Sequence, residues 1–119
     1  MNAPLPAPTL ENLIAWTRVY WHISERIDAD TRLEADLGIT GDDGDEFLRD
    51  VQKCFGVSLL DTSGGYREAF GLAENEFLFH SEGGPAFWQK AKVHPLTIGE
   101  VLDALQRRAK TNFSNSSFE

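Results

Sequence analysis

The sequence predicts a mainly α-helical single domain on three observations. The chain has 119 residues, 41% of them hydrophobic, which suits one globular core and leaves no room for two. Three stretches place apolar residues at helical spacing beside capping signals. Between the second and third lies an aromatic-rich insertion, residues 58–95, with no strong period and room for a short β element. A domain of this size buries roughly two-thirds of its unfolded surface, so it needs no metal or disulfide to fold. Cys54 is the single cysteine, which excludes an intramolecular disulfide and a cysteine metal cluster.

Residues 1–8 hold three of the five prolines and are expected to form a flexible arm ahead of a domain at 9–110. Thr9 is a good N-cap, with Glu11 in the first turn. Leu10, Leu13, Ile14, Thr17, Tyr20, Trp21, Ser24 and Ile27 then follow helical spacing, which predicts a helix over about 9–27. Asp28 to Gly41 reads as a long loop anchored by Leu33 and Leu37. A second helix is expected over about 41–55, where Phe47, Leu48, Val51, Cys54 and Phe55 form one apolar stripe and Gly56 supplies the C-cap. Its start can be capped by Thr40 with Asp43 three residues on, or by Asp43 with Glu46 three on, in the manner of a capping box, and the sequence does not choose.

Within the insertion, Tyr66 to Leu72 reads as a short helix, and Phe77-Leu78-Phe79 as a short strand or a buried turn. Gly83-Gly84-Pro85 marks a turn. Tyr66, Phe70, Phe77, Phe79, Phe87 and Trp88 should pack this segment on the core. The last helix is expected over about 97–109. Pro95 keeps the preceding residue out of a helix, Thr97 and Glu100 form a capping box, and Ile98, Val101, Leu102 and Leu105 are its stripe. Residues 111–119 look like a flexible polar tail.

The run Asp36-Leu37-Gly38-Ile39-Thr40-Gly41-Asp42-Asp43 resembles the acyl carrier protein signature Asp-Leu-Gly-x-Asp-Ser-Leu-Asp. Asp36, Leu37, Gly38 and Asp43 match it. Glu46, Phe55-Gly56-Val57 and Leu96-Thr97-Ile98-Gly99-Glu100 match later carrier landmarks, so the resemblance covers about two-thirds of the chain. With Leu33 and the Tyr66–Phe70 patch, it is similar to a family of uncharacterised bacterial acyl-carrier-like proteins that lack the serine. The resemblance implies an acyl-carrier-like helical bundle. A carrier's serine hydroxyl takes the phosphopantetheine arm from coenzyme A, and here that position is Gly41, which has no side chain. The expectation is therefore no cofactor. Thr40 lies one position early and reads first as an N-cap, while Ser58, Ser63 and Ser81 lack the motif around them.

The net charge is −8. Residues 30–50 contribute −6 of it, and the segment from Pro85 onward is +2. Such a chain repels phosphate and anionic lipid, so nucleic acid and membrane surfaces are not the expected partners. A carrier uses its second helix to dock on basic patches, and the resemblance puts that surface at Asp42, Asp43, Asp45, Glu46 and Asp50. The bland alternative is a solvated helix start favoured by its dipole.

Enzyme chemistry is not expected. His22, His80 and His94 lack metal-ligand spacing, and Cys54 falls on an apolar stripe where a thiol is inert. A calcium loop starting at Asp36 would put Phe47 where the bidentate Glu belongs. Gly83-Gly84 lacks the spacing and lysine of a phosphate loop. The expectation is a non-enzymatic interaction or regulatory module with a basic protein partner. A carrier with a displaced attachment site and a small acidic immunity-type protein are the alternatives. No apolar run reaches the roughly 18 residues of a membrane span, and the start lacks the basic and apolar regions of a secretion signal, so a cytoplasmic location is expected. Oligomeric state stays open.

Overall fold

Capping and chain-breaking residues set most helix limits in the computed structural model, which describes residues 5–79 and 92–116. Helix α1 spans Leu10–Tyr20, and Thr9 Oγ1 accepts from the Asn12 N–H at 3.1 Å. It stops seven residues short of the expected 27 because the chain turns left-handed at His22, φ +53°. The Ile23 N–H then reaches back to the Arg18 carbonyl at 3.2 Å, a Schellman closure. Arg18 Nη1 fastens the exit by donating to the carbonyls of Ile23 at 3.3 Å and Glu25 at 3.2 Å. The helical spacing persisted to Ile27 because Ile27 still reaches the core from a non-helical backbone. His22→Gly should raise stability by about 0.5–1 kcal/mol, since glycine holds this conformation without the Cβ penalty. A higher urea midpoint at unchanged slope is the readout.

Helix α2 spans Gly41–Phe55 and ends at Gly56, φ +66°. Neither expected capping box forms at its start. Thr40 is the N-cap residue, but its hydroxyl donates to Glu34 and makes no cap bond. Phe47, Leu48, Val51 and Phe55 are buried as their stripe predicts. They meet Leu13 and Trp16 of α1 and Ile98, Val101, Ala104 and Leu105 of the last helix in one core. Thr17 is also fully buried, and its hydroxyl has no hydrogen-bond partner among the described residues.

The loop between α1 and α2 is folded tightly. Arg32 grips Asp36 through Nε at 3.2 Å and Nη2 at 3.1 Å, and this hydrogen bonding holds the Asp36 carboxyl below its ordinary range. Gly38, φ +71°, then lets the Ile39 N–H reach the Leu33 carbonyl at 2.9 Å. The loop also pins the start of the last helix. Ile98 N–H donates to Thr31 O at 2.9 Å, and Gly99 N–H to Ala29 O at 2.8 Å. A Cβ on Gly99 would stand 2.9 Å from that Ala29 oxygen, so the close approach requires glycine.

Helix α3, Arg67–Phe70, is the short helix expected in the insertion, closed by Gly71 at φ +63°. Strands β1, Glu76–Phe77, and β2, Lys92–Val93, pair in parallel, with Glu76 opposite Lys92 and Phe77 opposite Val93. The strand reading of Phe77 thus holds for one residue, and its expected packing on the core does not: Phe77 is exposed, while Leu78, on the opposite side of the chain, is buried in its place. The expected turn at Gly83-Gly84-Pro85, and Phe87 and Trp88 with their expected packing, lie outside the described residues.

The last helix, α4, spans Ile98–Ser116. The capping box is present, with Glu100 N–H on Thr97 Oγ1 at 3.2 Å and Thr97 N–H on Glu100 Oε1 at 3.1 Å. The helix passes its expected end near 109 because no glycine or proline follows Gly99 to stop it. Arg107 joins α4 to α3, donating to the Ala69 carbonyl at 2.7 Å and to Asp103 at 2.8 Å. Pro8 and Ala7 of the leading segment are held through their carbonyls by Gln106 at 3.0 Å and Asn12 at 2.9 Å.

Candidate functional site: the acidic helix and its neighbouring cavity

The apolar stripe that buries α2 dictates which residues face water. Asp42, Asp43, Asp45 and Glu46 are exposed, and Asp50 is half-buried. None of the five makes a hydrogen bond or salt bridge to a described residue. The helix therefore presents a ridge of carboxylates with no ion pair among the described residues, and the exposed Arg49 is the one base on that helix's acidic stretch.

Gly41 heads this ridge at φ +56°. A side chain at that angle is strained by about 1–2 kcal/mol, so the backbone itself calls for glycine where a carrier has serine. Two of the hydroxyls weighed as alternative attachment points are engaged. Thr40 donates to Glu34, and Ser63 donates to Asp61 at 2.6 Å.

Gly44, one turn along, is buried and went unnoticed in the sequence. The Phe79 ring lies against it so closely that a Cβ on Gly44 would come within 2.5 Å of three ring carbons. Glycines at 41 and 44, three apart on an otherwise charged helix, were the available signal for a notch.

Beside the notch a cavity of about 450 Å³ opens between α2 and the insertion. Tyr66, Leu72, Phe77, Leu78 and Phe79 give it apolar walls, and Asp42, Asp45, Asp61 and Glu76 bring carboxylates. Arg67 also lines it, but its Nη1 is turned onto the carbonyls of Ala73 and Leu72. Ser63 Oγ and the Gly65 N–H hold the Asp61 carboxyl down to about 2, so it stays ionised. Burial pushes the Tyr66 hydroxyl up, opposed by a hydrogen bond from Gln52 and reinforced by the charge of Asp45.

Gln52 keeps this wall in register. Its Nε2 donates to Tyr66 Oη at 3.1 Å and to the Leu48 carbonyl at 2.9 Å, while its Oε1 accepts from the Leu59 N–H at 2.7 Å. His94 fixes the far side: Nε2 is 2.5 Å from Glu100 Oε2, and Nδ1 is 3.7 Å from Glu76 Oε2.

A second cavity, about 490 Å³, lies between α1 and α2 against Trp16, Tyr20, Asp50 and Cys54. Burial pushes the Cys54 thiol up, which keeps it protonated and a poor nucleophile. No group of three metal-ligating side chains occurs among the described residues, and no helix described is long and apolar enough to cross a membrane. His22 closes α1, and His80 lies outside the described residues. Comparison of the chain with protein-family models, with curated proteins and with solved structures finds no match.

Proposed function

We propose that this chain is an acyl-carrier-like protein without a prosthetic arm, a non-enzymatic module that docks on a basic protein surface through α2. The carrying observation is the head of that helix. Gly41 sits in a left-handed conformation that disfavours serine, directly before four exposed carboxylates with no salt bridge to a described residue. The loop signature Asp36-Leu37-Gly38 supports the carrier likeness, because its Asp36 and Gly38 set the turn that leads into α2.

Unpaired carboxylates on one face raise the rate of encounter with a basic partner and select against acidic ones. Reversing Asp42, Asp45 and Glu46 to lysine should lower the association rate with a basic protein captured from lysate by the parent chain at least about tenfold at low salt. Circular dichroism of the variant guards against lost folding, since lysines near a helix N-terminus cost about 0.3–1 kcal/mol each. An unchanged rate in a folded variant would sink the docking reading. Intact mass after co-expression with a phosphopantetheinyl transferase should be that of the bare chain. An added arm would replace this function with that of a true carrier.

A further inference from the structure

We propose that the cavity between α2 and the insertion is the seat of an arginine side chain from the docked protein, its aliphatic stem against Tyr66, Leu72 and Phe79 and its guanidinium at Asp42 and Asp45. The inference rests on the docking function proposed for α2 and deepens it by naming an anchor.

The cavity's composition selects the occupant. At about 450 Å³ it stands at the low end of the range for small-molecule sites and has room for one long side chain. Its four carboxylates disfavour an anion such as a phosphate or an acyl-CoA headgroup. A neutral apolar ligand would fit the aromatic walls but find no use for Asp42 and Asp45 at the cavity's exposed edge. A metal ion lacks a set of three ligating side chains among the described residues.

A basic side chain satisfies both halves of the lining, because its methylene stem lies on apolar surface while its charged head meets the carboxylates. Arginine suits the walls better than lysine. Its planar guanidinium pairs two oxygens at once and stacks on aromatic faces, and Phe77, which lines the cavity, is 40% exposed. Arg67 does not fill this role, since it is held to the Leu72 and Ala73 carbonyls.

The test is a titration of the full ¹⁵N-labelled chain with Nα-acetyl-arginine N-methylamide, with the neutral citrulline analogue in parallel. The arginine probe should shift the amides of Gly65, Tyr66, Leu72 and Phe77 saturably, at least threefold more tightly than citrulline. The Asp42→Asn, Asp45→Asn double variant should bind it at least fivefold more weakly. Both carboxylates are exposed and make no bond to a described residue, and the variant's own spectrum verifies its fold. Absent shifts at these amides, or equal binding of the two probes, would overturn the arginine seat.

A third chain separates this failure from failure of the docking function. The Asp43→Lys, Glu46→Lys, Asp50→Lys variant alters the ridge outside the cavity lining. It should keep probe binding and lose the protein partner. Retention of both would overturn the docking function while leaving the cavity's preference intact.

Discussion

Phe47→Ala should destabilise the domain by about 4 kcal/mol, the largest single effect expected here. Phe47 is fully buried on the inner face of α2. Trp16 meets its ring edge-on at a centroid distance of 5.3 Å, and Trp21 lies 5.8 Å away on the other approach. Truncation removes the transfer free energy of the ring, leaves a cavity among rigid neighbours and deletes two aromatic pairs worth about 0.5–1.5 kcal/mol each. Domains of this kind are stable by roughly 5–15 kcal/mol, so the variant should sit near the edge of folding at 37 °C. Urea unfolding followed by tryptophan fluorescence measures the loss. A loss below about 1.5 kcal/mol would mean that Phe47 does not organise the three-helix core. Phe47 also links core to function: the same helix that buries its ring points Asp43 and Glu46 at solvent, so a loosened α2 blurs the acidic ridge.

The stripe around Phe47 was legible because helical periodicity reports burial directly. Val51 and Phe55 on α2, and Val101 and Leu105 on α4, sit where their spacing puts them. The capping box at Thr97 was legible for the same local reason: both partners lie within one turn. Helix ends were less so. Ile27 keeps helical spacing while its backbone has left the helix, since periodicity records which side chains reach the core and not the path between them.

The acidic ridge could be read from charge and stripe together. The cavity could not, because Asp61, Tyr66 and Glu76 come to α2 through long-range packing that no local pattern encodes. Gly44 carries a local signal of its own. In a helix a glycine lowers stability by about 1 kcal/mol relative to alanine, and one retained in a buried position asks what occupies the missing Cβ.

The answer is Phe79, and the pair can be tested by inverting the sign of a mutation. In the parent chain, Gly44→Ala should destabilise by about 1–2 kcal/mol. Alanine's better helix propensity offers about 0.5–1 kcal/mol, but overpacking against a ring anchored by the residues before it costs about 1–3 kcal/mol. The ring cannot swing far, since Leu78 beside it is buried and β1 just before it is tied to β2. In a Phe79→Ala background the obstacle is gone, and the same Gly44→Ala change should stabilise by about 0.5–1 kcal/mol. The coupling energy from the four-member cycle should therefore be about 1.5–3 kcal/mol, far above the few tenths expected of independent sites. If Gly44→Ala stabilises both backgrounds alike, the ring does not lie on α2. A cycle that inverts as expected fixes the insertion to the acidic helix, because only a side chain seated on that notch can turn a helix-favouring methyl into a defect.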